Sequence, residues 1–237
     1  MSQLFEPTVR SNVLRVRSDE LKWLSTGANG GSWHSTAAYN ITVPKGWNET
    51  DLEAYAEKRR ADSGFDQPGP TLLTGVEQRH AHWARLDSVE VIITAGISNP
   101  TTLPPADSNT TKPPETENRS QPGTINIITG TSRSLSAGAL ANLIAVVTEA
   151  KTATLTRLCG FSGTTSDAVV VGSDPTGRPT QFSGSATPVG RAVRACVREA
   201  LTAALESRYE TEPVPESIAD ATYGCATTVE ATVSRVE

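Results

Sequence analysis

The stretch Gly123-Thr-Ile-Asn-Ile-Ile-Thr129 opens a unit that closes with Gly163-Thr-Thr-Ser-Asp-Ala-Val-Val-Val171. Between them Leu140, Leu143, Ile144 and Val147 recur on one helical face. The β-branched runs at 124–129 and 168–171 have the composition of buried strands. Ser132–Ala137 supplies turn and N-cap candidates, and Gly160 a helix end. The reading is strand, helix, strand. Polar residues stand where a plain structural unit does not need them: Asn126, Glu149, Lys151, Thr164 and Asp167.

Working toward the N-terminus, Val89–Thr94 is a strand that runs into the small, polar Ala95-Gly-Ile-Ser-Asn99. Ligands favour such strand ends in sheets covered by helices. Thr71–Arg85 reads as a helix, with Leu72, Leu73, Val76, His80 and Trp83 on one face and Glu77 beside it. Asp51–Ala61 reads as a charged surface helix, and Asp66–Pro70 as a breaker cluster. Ala38–Val43 is a strand stopped by Pro44, and Leu14–Val16 and Leu21–Leu24 are short strands about a polar turn at Arg17-Ser-Asp19. Ser25-Thr-Gly-Ala-Asn-Gly-Gly-Ser32 is either a tight hairpin loop or a loop whose amides hold a ligand's carbonyl or anionic group. It is not a Walker loop, because no Gly-Lys-Ser/Thr follows.

Working toward the C-terminus, Asp174–Thr187 reads as a turn-rich loop and Pro188 as the first position of a second long helix. Val189, Val193, Cys196, Val197, Ala200, Leu201, Ala204 and Leu205 mark its buried face. Arg191, Arg194 and Arg198 lie off that face; they read as solvated, although three arginines could bind an anion. Glu212–Glu216 is a Pro-broken linker, and Cys225–Val233 a last edge strand. Pro100–Pro122 is almost free of apolar residues and reads as a surface insertion or a flap. These parts predict one domain over residues 1–237, of α+β or α/β class. A mixed sheet or sheets would pack against at least two long helices, with a flexible insertion at 100–122 and a loosely attached segment at 211–237.

Composition narrows the function classes. The net charge of -5 disfavours nucleic acid as a partner. No apolar run is long enough to span a membrane as a helix, and Met1–Pro7 lacks the blocks of a signal peptide, so a cytoplasmic location is expected. Cys159, Cys196 and Cys225 are odd in number and lack a Cys-x-x-Cys pair, which argues against a disulfide framework or structural zinc. His80 and His82 stand two apart and cannot form a zinc pair on one helix face. No metal site is expected. Arg outnumbers Lys, acids exceed bases, and Thr is abundant, a bias that resembles proteins of salt-loving archaea.

The combination of blocks resembles the adenosylcobinamide amidohydrolase (CbiZ) family of archaeal corrinoid salvage. The blocks are Ser25–Gly31, Asn40–Pro44, Thr94–Asn99, Gly123–Ile128, Thr148-Glu-Ala-Lys151, Gly163–Ala168, and Phe182-Ser-Gly184 with Val189-Gly190. Each block alone is weak; together, in order, they are specific. The resemblance implies hydrolysis of adenosylcobinamide to adenosylcobyric acid and aminopropanol. It implies a small-molecule corrinoid as substrate and no separate cofactor. It is compatible with a homo-oligomer.

Amide hydrolysis needs an activated nucleophile, a proton for the leaving amine, and donors for the tetrahedral oxyanion. Within or near the matched blocks, Glu77, Glu149 and Asp167 are candidate bases or acids, and Lys151 a candidate to hold the leaving group or tune a carboxylate. Candidate substrate-binding residues are Asn29, Gly30, Gly31, Asn40, Thr94, Gly96, Asn99, Asn126 and Thr164. Carboxylate-assisted attack by water predicts that the amide variants of Glu149 or Asp167 lose turnover by orders of magnitude. The alternative nucleophile is Thr124, exposed by self-cleavage after Gly123. Non-catalytic corrinoid binding and amide transfer are the alternative functions.

Overall fold

The structure is a computed structural model that describes residues 3–104, 124–221 and 223–236. The expected insertion at 100–122 therefore falls mostly outside the described residues. The class expected from the sequence is present: a mixed α+β arrangement with an eight-stranded sheet and three α-helices among the described residues.

The elements run β1 (Glu6–Arg10), β2 (Val13–Ser25), β3 (Gly31–Thr42), α1 (Leu52–Asp62), β4 (Thr71–Thr74), β5 (His82–Leu86), β6 (Val89–Ala95) and β7 (Pro100–Thr102). They continue with β8 (Ile125–Leu135), α2 (Ala137–Cys159), β9 (Gly163–Thr164), β10 (Ala168–Thr180), α3 (Pro188–Arg208) and β11 (Cys225–Ala226). The main sheet has the order β4-β3-β2-β10-β8-β6-β5, with β1 added on β2. The β10–β8 and β4–β3 pairs are parallel and the other pairs of this sheet antiparallel. A second, small sheet has the order β11-β7-β9.

The strand–helix–strand unit is β8-α2-β10. A parallel pair requires a crossover, and α2 supplies it. Ser136 caps α2 by accepting from Ala139 N, and Gly160 ends it with φ 77°, a left-handed conformation that favours glycine. Pro188 begins α3 as expected, with Thr187 accepting from Gly190 N. The two helices cover one face of β6, β8 and β10, burying Ile93, Ile125, Ile127, Val169 and Val171 against Leu143, Val147, Val193, Val197 and Leu201. Cys196 is in this core, where burial pushes its thiol up to about 11. It carries no thiolate at neutral pH, as its place on the apolar face implied.

The sheet curls, so its opposite face is also buried. Three strands separate β4 from β8 in the sheet, yet Asn126 Nδ2 of β8 donates to Leu73 O of β4 at 2.9 Å. The enclosed core holds Leu14, Trp23, Leu72, Ile92, Ile128 and Val170. Phe5 stacks on Trp23, centroids 6.0 Å apart, and plugs it. Two glycines permit this approach. A Cβ on Gly130 would lie 2.4 Å from Phe5, and one on Gly172 2.6 Å from Trp23. On the outer face of β2 and β3, α1 covers Tyr39 and Phe65, and Arg60 of α1 donates to Gly69 O and Thr71 Oγ1.

Several local expectations need correction. Thr71–Arg85 is not a helix but β4, a 3-10 turn at Gln78–His80, and β5. Its apolar spacing suited a helix, but Leu72 and Thr74 are taken into parallel pairing with β3, and Trp83 pairs with Ile92. The segments at 14–16 and 21–24 are one strand, with a register shift between Arg17 and Leu21 instead of a turn. β8 and β10 run past their apolar cores to Leu135 and Thr180, because polar residues on one strand pair with those on the other beyond a second irregularity between Ser173 and Arg178. Pro100–Thr102, the start of the expected surface insertion, is strand β7. The expected edge strand at 225–233 is only Cys225–Ala226.

Candidate functional site

One end of the curled sheet gathers the carboxyl end of β6, the amino ends of β8 and β10, and the loops after β2, β4, β6 and α2. Thr26 N donates to Val169 O at 2.9 Å, Gly96 N to Thr124 O at 3.2 Å, and Thr165 N to Asn99 O at 3.1 Å. Most of the candidate residues lie here, in two groups.

The first is a polar network closing the enclosed core. Side chains alternate along a strand, so Asn126 shares the inner face with Ile128, and Thr94 with Ile92. Asn40 arrives from β3 because the sheet curls. Asn40 Nδ2 donates to Thr94 Oγ1 at 2.8 Å and to Gln78 Oε1 at 3.4 Å. Asn126 Nδ2 donates to Asn40 Oδ1 at 2.8 Å as well as to Leu73 O. Gln78 Nε2 donates to Thr42 Oγ1 at 3.1 Å, and Thr124 Oγ1 to Thr74 Oγ1 at 3.1 Å. Asn40, Gln78, Thr94, Thr124 and Asn126 are all at most 2% exposed. Within this network Asn126 Oδ1 is buried and no donor among the described residues reaches it.

The second group is a clamp centred on Asp167. Its Oδ1 accepts from Ile125 N at 3.0 Å and from Thr164 Oγ1; its Oδ2 accepts from Thr164 N at 3.1 Å and from Lys151 Nζ. A carboxylate has about four acceptor positions, and all four are used. Lys151 reaches it from α2, and the side chains are 8% and 11% exposed. The clamp ties helix, loop and the first residue of β8 together, one residue from Asn126. Gly163 lies against the pair: a Cβ there would stand 2.8 Å from Asp167 and 2.9 Å from Lys151.

The remaining candidates are placed as follows. Asn99 is buried in the loop after β6 and donates to Thr165 Oγ1 and Ser166 Oγ. Gly96 packs on Val76. Ile97 N, beside it, donates to Tyr209 Oη at 2.7 Å, and burial raises that phenol above its ordinary value, keeping it protonated. Asn29, Gly30 and Gly31 form the β2–β3 hairpin, which folds over β4: Asn29 Oδ1 accepts from Thr71 N at 3.3 Å. Gly31 has φ 102°, as the turn reading required.

Glu149 and Glu77 do not join either group. Glu149 is on the exposed side of α2, paired with Arg194 and accepting from Ser185 Oγ. Glu77 is exposed and paired with Arg79 at 2.9 Å. Sequence reasoning missed Gln78 and Thr74, which join the network only through the curl and the loss of the expected helix, and Thr42, which stands in the expected strand but was not marked as a site residue. Among the described residues there is no group of three or more His, Cys, Asp or Glu that could hold a metal ion, and no helix is long and apolar enough to cross a membrane.

The family model described as adenosylcobinamide amidohydrolase (CbiZ) matches residues 3–213. The chain belongs to this family. It is 47% identical over 234 residues to an adenosylcobinamide amidohydrolase of the archaeon Halobacterium salinarum, covering 98% of this chain and 100% of that one. A second adenosylcobinamide amidohydrolase, of Methanosarcina mazei, is 30% identical over 212 residues, covering 85% and 98%. Among solved structures, that of the PH0078 protein of Pyrococcus horikoshii aligns over 84% of this chain and 78% of its own, with 14% identity and a TM-score of 0.44.

Proposed function

We infer that this chain hydrolyses adenosylcobinamide at the amide joining aminopropanol to the propionate arm of the corrin ring, releasing adenosylcobyric acid for corrinoid salvage. The observation that carries this reading is the full-length relationship to an enzyme named for that activity. Supporting it is a network of neutral polar side chains in which one buried acceptor is left open. The polar network offers neutral amides and hydroxyls, matched to a substrate whose periphery is itself made of amides. Asn126 Oδ1, buried with an unused acceptor, can receive a hydrogen bond from a substrate amide or from an attacking water.

In this proposal Asp167 and Lys151 are positioning residues. Their pairing fixes Ile125 N and the loop 163–167, and thereby the place of Asn126. With every acceptor position of Asp167 engaged, taking a proton from water requires Thr164 or Lys151 to yield. Glu149 and Glu77 have no part in it, because each is exposed and paired away from the network. No separate cofactor is invoked.

Incubation with adenosylcobinamide, with chromatography for adenosylcobyric acid and an amine assay for aminopropanol, tests the reading. Stoichiometric appearance of both products is expected. Tight binding with neither product would replace hydrolysis by corrinoid carriage, and consumption of substrate only with an added amine acceptor would indicate transfer.

A further inference from the structure

The outward sides of α2 and α3 enclose a groove of about 640 Å³. Four arginines line it: Arg157 from α2, and Arg191, Arg194 and Arg198 from α3. Ala153 and Ala195 also line it, beside Leu158, a large apolar side chain left 49% exposed. This concentration of positive charge stands on a chain whose net charge is -5. Two of the four have carboxylate partners, Arg194 with Glu149 and Arg198 with its neighbour Glu199. Among the described residues, Arg157 and Arg191 have none.

Helix stability does not account for this placement. Like charges three and four residues apart repel, and Arg191, Arg194 and Arg198 have that spacing. Arg191 sits in the first turn of α3, where the helix dipole disfavours a cation, and that turn has no acid to offset it. The arginines do not form the core either, which α3 builds from its opposite face. An anion lying between the guanidinium groups would relieve the repulsion.

The geometry limits the anion. The volume is in the range of small-molecule sites, roughly 300–1,000 Å³. Arg191 and Arg198 are about 10 Å apart along the helix axis at about 1.5 Å per residue. A single phosphate does not bridge that span, whereas a chain of phosphates engages several guanidinium forks in turn. The alanines and Leu158 leave apolar surface for a flat organic group. Adenosylcobinamide carries amides and no phosphate, so the hydrolysis inferred above leaves this groove unused. We propose that the α2–α3 groove binds a small triphosphate-bearing ligand, separately from the corrinoid.

Isothermal titration with sodium tripolyphosphate and with adenosine triphosphate tests this, at the lowest salt concentration at which the circular dichroism remains native. One saturable site per chain is expected. Replacing Arg157→Ala together with Arg191→Ala should weaken it by about tenfold or more for each guanidinium removed. Turnover of adenosylcobinamide should stay at the unsubstituted rate. Tighter binding of the nucleotide would assign the ligand to nucleotides, and equal binding to free polyphosphate; both support the site. Should the double variant not fold, mass spectrometry of the unsubstituted protein after phenylglyoxal treatment gives a second measurement, with Arg157 and Arg191 protected by tripolyphosphate. Absence of saturable binding, unchanged affinity in the double variant, lack of protection, or displacement of the anion by adenosylcobinamide would overturn the proposal.

Discussion

Two acid–base pairs begin on the same short run of α2, Thr148-Glu-Ala-Lys151, and meet opposite physical conditions. Lys151 turns inward to Asp167, with side chains 8% and 11% exposed. Glu149, two residues earlier, turns outward to Arg194, with side chains 58% and 37% exposed. A helix advances about 100° per residue, so a step of two reverses the face. In sequence both residues are charged groups near an apolar stripe. In the fold, one has almost no water to fall back on and the other has plenty. Residue type supplies the chemistry; the face of the helix decides whether that chemistry is confined.

This contrast can be tested by removing one partner from each pair. Lys151→Met leaves the buried Asp167 charge without its counter-ion, and loss of one partner of a buried pair costs about 3–5 kcal/mol. Urea denaturation should show a loss of that size, with adenosylcobinamide turnover falling alongside it as Ile125 and Asn126 shift. Asp167→Asn should cost a similar amount, since it leaves the Lys151 ammonium buried without its counter-ion and turns an amide NH2 toward N–H groups that donated to the carboxylate. A change below about 1 kcal/mol for Lys151→Met would place the pair energetically with exposed ones.

Next in size is the network. Asn126→Ala leaves Asn40 Oδ1 and Leu73 O without their Asn126 donor in a buried place, at about 1–3 kcal/mol for an unsatisfied group. Turnover should fall by about 100-fold or more if Asn126 contacts the reacting amide. A variant that is destabilised yet turns over normally would reduce the network to structure alone. At the outward pair, Glu149→Gln should alter stability by less than about 0.5 kcal/mol. Its turnover should remain within about twofold of the unsubstituted rate. A loss of orders of magnitude would return Glu149 to the reaction and erase the difference between the two pairs.

The same contrast explains what could be read from the sequence. The β8-α2-β10 unit, the start of α3 at Pro188 and the hairpin at 25–31 were legible because their signals are local: β-branched runs, a helical stripe, a cap, glycines. The ends of β8 and β10 were not, because polar strand residues there are held by pairing with each other. Leu72, Leu73 and Val76 suit a helix by spacing, and only the curl that brings β4 onto β8 makes a strand the better partner. The family blocks pointed to Asn40, Thr94 and Asn126, but their meeting is a property of that curl. Gln78, outside every block, shows the limit: its only mark in sequence was a polar residue in a stretch expected to be helical.

A smaller effect separates His80, in the same stretch, from ordinary exposed histidines. His80 ends the 3-10 turn and reaches α3, its Nδ1 2.9 Å from Ser207 Oγ. Burial lowers its pKa below the ordinary 6.5, and Arg79, Arg208 and His82 add to this against the opposing effect of Glu77. The folded protein therefore takes up this proton less readily than the unfolded chain. As pH falls through 6.5 the unfolded chain binds it first, so stability declines until the folded-state pKa is passed and then levels. Denaturation midpoints across about pH 5–8 should show this decline in the unsubstituted protein, and a shallower one in His80→Asn, which cannot titrate in that range. Parallel curves for the two proteins would mean that the contact with Ser207 confines the imidazole too little to distinguish it from a solvated side chain.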